Sequence, residues 1–177
     1  GSAVIAFLSF PGFSYDVFNY IATAKVTYLY KENPYLVMPI EISNEPMLSF
    51  LHASNKIALY GPLWIILTAI PHFTGLGNLV LTTYMFKMFA GIFWIATLIL
   101  LWKMTNRNLF AVAFFGLNPL ILIETWMSGH NDIVMMFLAL LSWYALQKRK
   151  FLVSVLLLGG SILVKYATVV LIPLYAY

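Results

Sequence analysis

Long apolar stretches alternate with short polar segments over the second half of the chain. The stretches cover residues 79–102, 109–127, 133–146 with its flanks, and 151–177. A helix needs about 20 mostly apolar residues to cross the hydrocarbon core of a bilayer. We therefore predict an all-α protein in which residues 79–177 form a polytopic transmembrane helical bundle of about four crossings.

The first part of the chain has a different pattern. Residues 1–13 are apolar but too few to cross a bilayer, so we interpret them as the outer end of a first transmembrane helix. Residues 14–78 are predicted to form a large external first loop. Within it, residues 16–31 carry apolar side chains at helical spacing, which predicts an amphipathic helix that ends before Asn33-Pro34.

Two further short helices are predicted in this loop. Residues 47–60 follow Pro39 and Pro46, and we interpret them as a second short helix. Residues 61–74 are apolar, but a run of about 14 residues suits an interfacial or re-entrant helix better than a crossing. The fold class is therefore a helical membrane bundle whose external loop holds interfacial amphipathic helices.

The composition agrees with a lipid environment. Of the 177 residues, 62% are hydrophobic and only 9% are charged, whereas soluble domains usually carry about 25% charged residues. This excludes an ordinary cytosolic enzyme, and the dispersed net charge of +4 argues against a nucleic-acid partner. The absence of cysteine excludes disulfides and thiolate chemistry.

Basic residues predict the orientation of the bundle. Two short loops, one with Lys103 and Arg107 and one at residues 148–150, contain Lys and Arg but no acid. The positive-inside rule places both loops in the cytoplasm. All six acids then fall on the external side. We predict an integral protein of a prokaryotic plasma membrane with its active site on the external face.

Several polar residues are predicted to gather at the external end of the bundle. Ionisable groups within the bilayer are costly and usually face a cavity or a partner. Two of them are lysines near the outer boundary, Lys87 and Lys165, which suits the phosphate of an anionic lipid headgroup. The remaining candidates are Asp16, Glu124, His130, Asn131 and Asp132.

Each candidate also has a purely structural interpretation. Asp16 would cap the helix that follows it, and Lys87 or Lys165 would extend along its helix to the membrane surface. Residues 130–132 would form only a turn and a helix cap. Glu124 would form an ion pair with one of the two lysines. The sequence pattern alone leaves these alternatives open.

The order of the motifs resembles the GT-C superfamily of membrane glycosyltransferases, and within it the polyprenyl-phosphate-mannose-dependent mannosyltransferases. The resemblance covers nearly the whole chain, and its most specific part is the Gly-His-Asn-Asp turn after a helix that contains Asn-Pro. The motifs are Asp16, Asn33-Pro34-Tyr35, Tyr60-Gly61-Pro62-Leu63-Trp64, Asn118-Pro119-Leu120, Gly129-His130-Asn131-Asp132 and Val164-Lys165-Tyr166. The Tyr60–Trp64 motif departs from the usual proline-proline form of the family.

The resemblance implies an inverting glycosyltransferase. It implies that a sugar, expected to be mannose, passes from a polyprenyl-phosphate donor to a lipid or glycan acceptor. Asp16 matches the catalytic carboxylate and would act as the general base. Members of the superfamily have more crossings than this chain shows, so we expect a fragment, for which activity on its own stays an open question.

The other candidates are expected to bind the donor. Lys87 and Lys165 would neutralise its phosphate, and His130, Asn131 and Asp132 would bind its sugar or position the phosphate. No cofactor and no dedicated metal site is predicted, although Asp16 and Asp132 would bind a divalent cation if they converge. Two alternatives remain: a flippase or transporter for a lipid-linked sugar, and a non-catalytic membrane subunit.

Overall fold

A computed structural model of the chain describes residues 1–42 and 45–175, and within these ranges all regular structure is helical. The all-α prediction is therefore confirmed. The α-helices are α1 Ser2–Leu8, α2 Asp16–Ala24, α3 Pro62–Leu67, α4 Ala69–Thr74, α5 Leu79–Met104, α6 Leu109–Gly116, α7 Pro119–Leu122, α8 Asp132–Gln147 and α9 Phe151–Val164. A π-helical turn continues α2 over Lys25–Leu29, and another continues α7 over Ile123–Met127. Short 3₁₀ helices cover Pro39–Glu41, Pro46–Phe50 and Tyr166–Tyr175.

Helix α2 forms where the sequence predicts a helix, but it is buried on almost all sides. The predicted face, formed by Val17, Tyr20, Ile21 and Ala24, is almost completely buried, and only Asp16 and Asn19 of the helix remain partly exposed. These positions are spaced i, i+3, i+4 and i+7, as expected for a helix that covers a core. The π-helical turn extends the helix to Leu29, so it ends before Asn33-Pro34, as predicted.

The rest of the external loop differs in part from the prediction. The expected helix over 47–60 is wrong, because helical structure there is limited to the 3₁₀ helix Pro46–Phe50 and the chain is irregular from Leu51 to Tyr60. The apolar segment 61–74 is helical, but it is divided at Thr68 into α3 and α4.

Helix α5 is the clearest membrane-spanning candidate. Over residues 1–42 and 45–175 it is the single helix long and apolar enough to cross, and the number rises to two if α6 and the Pro119–Met127 segment count as one bent span. Their bend of 56° lies at the kink that Asn118-Pro119 predicts. Helices α8 and α9 have 16 and 14 residues, so about four crossings remains a prediction.

The last predicted crossing is not one continuous helix. Helix α9 ends at Val164, and Lys165 has an extended backbone with φ −153° and ψ 127°. The chain then reverses direction. The hydroxyl of Thr168 lies 3.0 Å from that of Ser161, and the hydroxyl of Tyr175 lies 2.9 Å from that of Ser142. Lys165 therefore lies at the tip of α9 rather than part-way along a span; residues 176–177 lie outside the described residues.

A core of aromatic and branched side chains fills the end of the bundle where α2, α3, α5, α8 and α9 meet. Tyr20 is at its centre, with its ring 5.0 Å from that of Trp64 and 6.0 Å from that of Phe86. Val134 of α8 and Val164 of α9 complete it, and each is fully buried. This core supports the polar residues that lie just above it.

Candidate active site

The imidazole of His130 lies among three carboxylates. Its Nδ1 is 3.5 Å from an oxygen of Asp16 and 3.5 Å from an oxygen of Asp132, and its Nε2 is 3.1 Å from an oxygen of Glu124. The ring is mostly buried, whereas about two-fifths of each carboxylate is exposed. The structure therefore brings Asp16 together with polar residues from a distant part of the chain.

Asp16 is the first residue of α2, and its carboxylate does not cap that helix. The N-cap position is Tyr15, and no side chain forms a capping hydrogen bond there. The Asp16 amide donates to Ser14 Oγ at 3.2 Å, while its carboxylate faces His130. The capping interpretation of Asp16 is therefore wrong, and the side chain is available for chemistry.

Residues 129–132 form the turn between the Ile123–Met127 segment and α8. Gly129 has a φ of +66°, a conformation that glycine adopts without strain. Asn131 occupies the N-cap position of α8, but its side chain does not cap the helix. Its amide oxygen instead accepts a hydrogen bond from the Tyr20 hydroxyl at 3.1 Å. The turn is therefore more than a helix cap.

Lys165 is the cation nearest to this cluster. Its ammonium group donates to both carboxylate oxygens of Asp132, each at 2.9 Å. About a third of its side chain is exposed. Glu124, for which an ion pair with one of the lysines was one structural alternative, contacts His130 instead. Lys165, Asp132 and His130 thus form a continuous charged chain that leads to Asp16.

The cluster changes the proton affinities of its members. Burial lowers the pKa of His130, but the hydrogen bond with Asp132 and the charges of Asp16 and Glu124 outweigh this effect and raise it above its ordinary value. The hydrogen bond from His130, together with the Lys165 ammonium, lowers the pKa of Asp132 to about 2. Near neutral pH, Asp132 is therefore ionised and protonation of His130 is favoured.

Lys87 lies elsewhere. Its side chain is buried, and its ammonium group donates to the carbonyl of Phe7 and, at 2.8 Å, to that of Ser9. It also borders an apolar cleft of about 280 Å³ between the end of α1 and the start of α5. Lys87 packs against Gly129, but its ammonium group is bonded to these two carbonyls and does not join the His130 cluster.

Asp16 and Asp132 both lie 3.5 Å from Nδ1 of His130, so the two carboxylates converge, as a divalent cation bound between them would require. Within residues 1–42 and 45–175, however, no group of three or more His, Asp or Glu side chains has the geometry to hold a metal ion. The contacts of His130 are those of an ion-paired imidazole, so the cluster is best described as a network of charges and hydrogen bonds.

Comparison with known protein families identifies the general type of reaction. The model of the MptA_B family, described as the N-terminal domain of alpha-(1→6)-mannopyranosyltransferases, matches residues 4–177. The chain belongs to this family. No curated protein and no solved structure matches it. The family match confirms the resemblance to mannosyltransferases that the motifs indicate.

In this mannosyltransferase domain, two residues near the cluster had no assigned role in the sequence prediction. Glu124 was weighed only as the partner of a lysine, and Tyr20 only as part of an apolar helix face. Tyr20 lies four residues after Asp16, and this spacing places both on one face of α2. That spacing is a sequence signal that could have identified Tyr20, whereas its partner Asn131 could not be identified from it.

Proposed function

We propose that this domain carries the reaction centre of a GT-C-type inverting mannosyltransferase. It transfers mannose from a polyprenyl-phosphate donor to a hydroxyl group of a lipid or glycan acceptor, at the external face of the membrane. The observation that carries the proposal is the position of the partly exposed Asp16 carboxylate, 3.5 Å from His130 and within a network that ends in Lys165.

The chemistry requires one base. A glycosyl phosphate already has a good leaving group, so no acid is needed to protonate it. Asp16 takes the proton of the acceptor hydroxyl while that oxygen attacks the anomeric carbon from the face opposite the phosphate, which inverts the configuration. This differs from glycosidases, which use two carboxylates. The positive charge favoured on His130 offsets the mutual repulsion of the surrounding carboxylates.

Lys165 is the proposed ligand of the donor phosphate. Negative charge builds up on the phosphate as the glycosidic bond breaks, and a nearby ammonium group stabilises it. Lys165 is partly exposed and lies beside Asp132, so an anion can approach it from the open side of the cluster. His130 and Asp132 position the sugar or the phosphate. Asn131 is fully buried, so we assign it to holding the turn, and Lys87 to holding the segment before Asp16.

The arrangement of the basic loops supports an external site. Asp132 begins α8 and Lys148 follows its end, so the cluster and the basic loop lie at opposite ends of a helix about 24 Å long. Lys165 follows the end of α9, whereas Lys150 precedes its start. If the basic loops are cytoplasmic, the cluster lies on the external side.

The test is an assay of the full-length protein in membranes with radiolabelled polyprenyl-phosphate mannose and lipid acceptors. Asp16→Asn keeps the size of the side chain but removes the base, and we expect turnover to fall about 10²- to 10⁴-fold with donor binding retained. Glu32→Gln is the matched control, because Glu32 is an exposed acid of the same loop. Turnover of Asp16→Asn at the wild-type level would remove Asp16 from the mechanism.

The same assay separates the enzyme from other functions. Release of free polyprenyl phosphate that depends on added acceptor is expected of a transferase. Movement of the donor across the membrane without this release would assign a flippase. Absence of both activities in the full-length protein would assign a non-catalytic subunit.

A further inference from the structure

The Tyr20 hydroxyl joins the helix that carries Asp16 to the turn that carries His130 and Asp132. It donates to the amide oxygen of Asn131 at 3.1 Å, and the backbone amide of Asn131 donates back to it at 3.4 Å. Asn131 lies between His130 and Asp132 in the chain. A displacement of Asn131 would therefore displace both of them relative to Asp16.

Because of its surroundings, the Asn131 side chain depends on this hydrogen bond for its orientation. Tyr20 and Asn131 are both fully buried. The side-chain nitrogen of Asn131 has no hydrogen-bond partner in the part of the chain that the structure describes, so the bond from Tyr20 fixes the orientation of the amide. Burial, with added effects of Tyr60 and Asp16, raises the pKa of Tyr20 well above its ordinary value, so the phenol keeps the proton that it donates.

Neighbouring rings hold Tyr20 independently of its hydroxyl. Its ring lies 4.8 Å from that of Tyr60, 5.0 Å from that of Trp64 and 6.0 Å from that of Phe86. Replacing Tyr20 by Phe would keep these contacts and remove only the hydrogen bonds. The variant therefore separates the role of the hydroxyl from the role of the ring in packing.

We infer that Tyr20 is a positioning residue of the transferase: through Asn131, it holds His130 and Asp132 at the distance from Asp16 that the reaction requires. The inference rests on the proposed function, in which Asp16 is the base. It predicts a larger effect on the chemical step than on donor binding, because neither Tyr20 nor Asn131 is bonded to Lys165, the proposed ligand of the donor phosphate.

The experiment compares Tyr20→Phe with Tyr28→Phe in the full-length protein, using the mannose-transfer assay. Tyr28 is the matched control, because its hydroxyl also donates a hydrogen bond, shared between the carbonyls of Ile65 at 2.8 Å and Ile66 at 3.2 Å, but away from the cluster. For Tyr20→Phe we expect kcat per folded protein to fall about 10- to 100-fold, as for a small misplacement of reacting groups, with a smaller change in the donor KM. Tyr28→Phe should keep wild-type kcat.

A double-mutant cycle gives a second test. Asn131→Ala should lower kcat to a similar extent, and Tyr20→Phe combined with Asn131→Ala should be no worse than the more impaired single variant. Additive losses would overturn the inference, as would wild-type kcat in Tyr20→Phe or an equal loss in Tyr28→Phe. If Asp16→Asn is fully active, the proposed function fails; if Asp16→Asn is inactive and Tyr20→Phe is normal, only this inference fails.

Discussion

The backbone amide of Gly61 donates to the carbonyl of Val164 at 3.1 Å, so the start of α3 is bonded directly to the end of α9. The approach is so close that a Cβ atom at residue 61 would overlap the backbone of Leu163. Lys165 is the next residue after this contact. Gly61 of the Tyr60–Trp64 motif thus helps to fix the position of Lys165, the proposed ligand of the donor phosphate.

Gly61→Ala should destabilise the protein and displace Lys165. Because backbone atoms of α9 must move to accommodate the new methyl group, we expect a loss of about 1–3 kcal/mol in the free energy of unfolding and a raised donor KM. Thermal unfolding and the transfer assay measure these. Gly159→Ala, within α9, is the control, since an added Cβ there meets nothing within 4 Å. Equal stability of both variants would contradict the prediction.

The two lysines should respond differently to replacement by methionine. Lys165→Met removes the ammonium group beside the proposed phosphate position, so we expect donor KM to rise about 10- to 100-fold, as for a lost hydrogen bond to a charged group. Lys87→Met leaves the carbonyls of Phe7 and Ser9 without their donor, so it should lower the thermal midpoint with little change in donor KM. A large rise in donor KM for Lys87→Met would instead place Lys87 at the phosphate.

Stability should depend on pH through His130. Its pKa is raised above the ordinary 6.5, so the stabilisation it provides is fully present below about pH 6.5 and is lost as the pH rises through the higher folded value. Asp132 has the opposite dependence: with its pKa lowered to about 2, its contribution is present above about pH 4 and is lost as the pH falls towards 2. The contribution of the cluster to stability should be greatest between about pH 4 and about pH 6.5.

The measurement is the thermal midpoint of wild type and His130→Gln in detergent at pH 5, 6 and 9. The difference between the two proteins should be large at pH 5 and 6 and should shrink at pH 9. His72 provides a control, because burial, with the charge of Lys25, lowers its pKa. His72→Gln should therefore change the pH dependence in the opposite direction. A His130→Gln difference that is the same at pH 5 and pH 9 would argue against a charged imidazole.

Features that depend on the local spacing of residues could be predicted from the sequence. The apolar positions 17, 20, 21 and 24 predict both the helix α2 and its buried face. The basic loops and the polar Gly129–Asp132 turn also follow from local composition. From the motifs, the sequence suggested a shared site for Asp16, residues 130–132 and Lys165, and the structure places their charged side chains in one network.

Other features depend on contacts between distant segments, and sequence spacing contains little information about these. The chain reverses at Lys165 within a mostly apolar segment that contains no proline or glycine at the turn, and the Gly61 contact and the Ser161–Thr168 hydrogen bond stabilise the turn. Lys87 was expected at the site because of its depth in α5, but the backbone carbonyls of Phe7 and Ser9, at the end of α1, accept hydrogen bonds from its ammonium group. The bond from Tyr20 to Asn131 likewise joins positions far apart in the sequence.

The span of chain between Asp16 and His130 also affects the order in which the protein assembles. Contacts between distant residues must overcome the entropy of closing a long loop, so they form late. Helices α8 and α9 are adjacent in the chain, and the Ser142–Ser154 hydrogen bond can form as soon as both are present. Asp16 precedes the turn at residues 129–132 in the chain, so it acquires its charged neighbours only after that turn has been synthesised. The segment that carries the proposed base therefore stays without its partners in the cluster until the rest of the cluster has followed it.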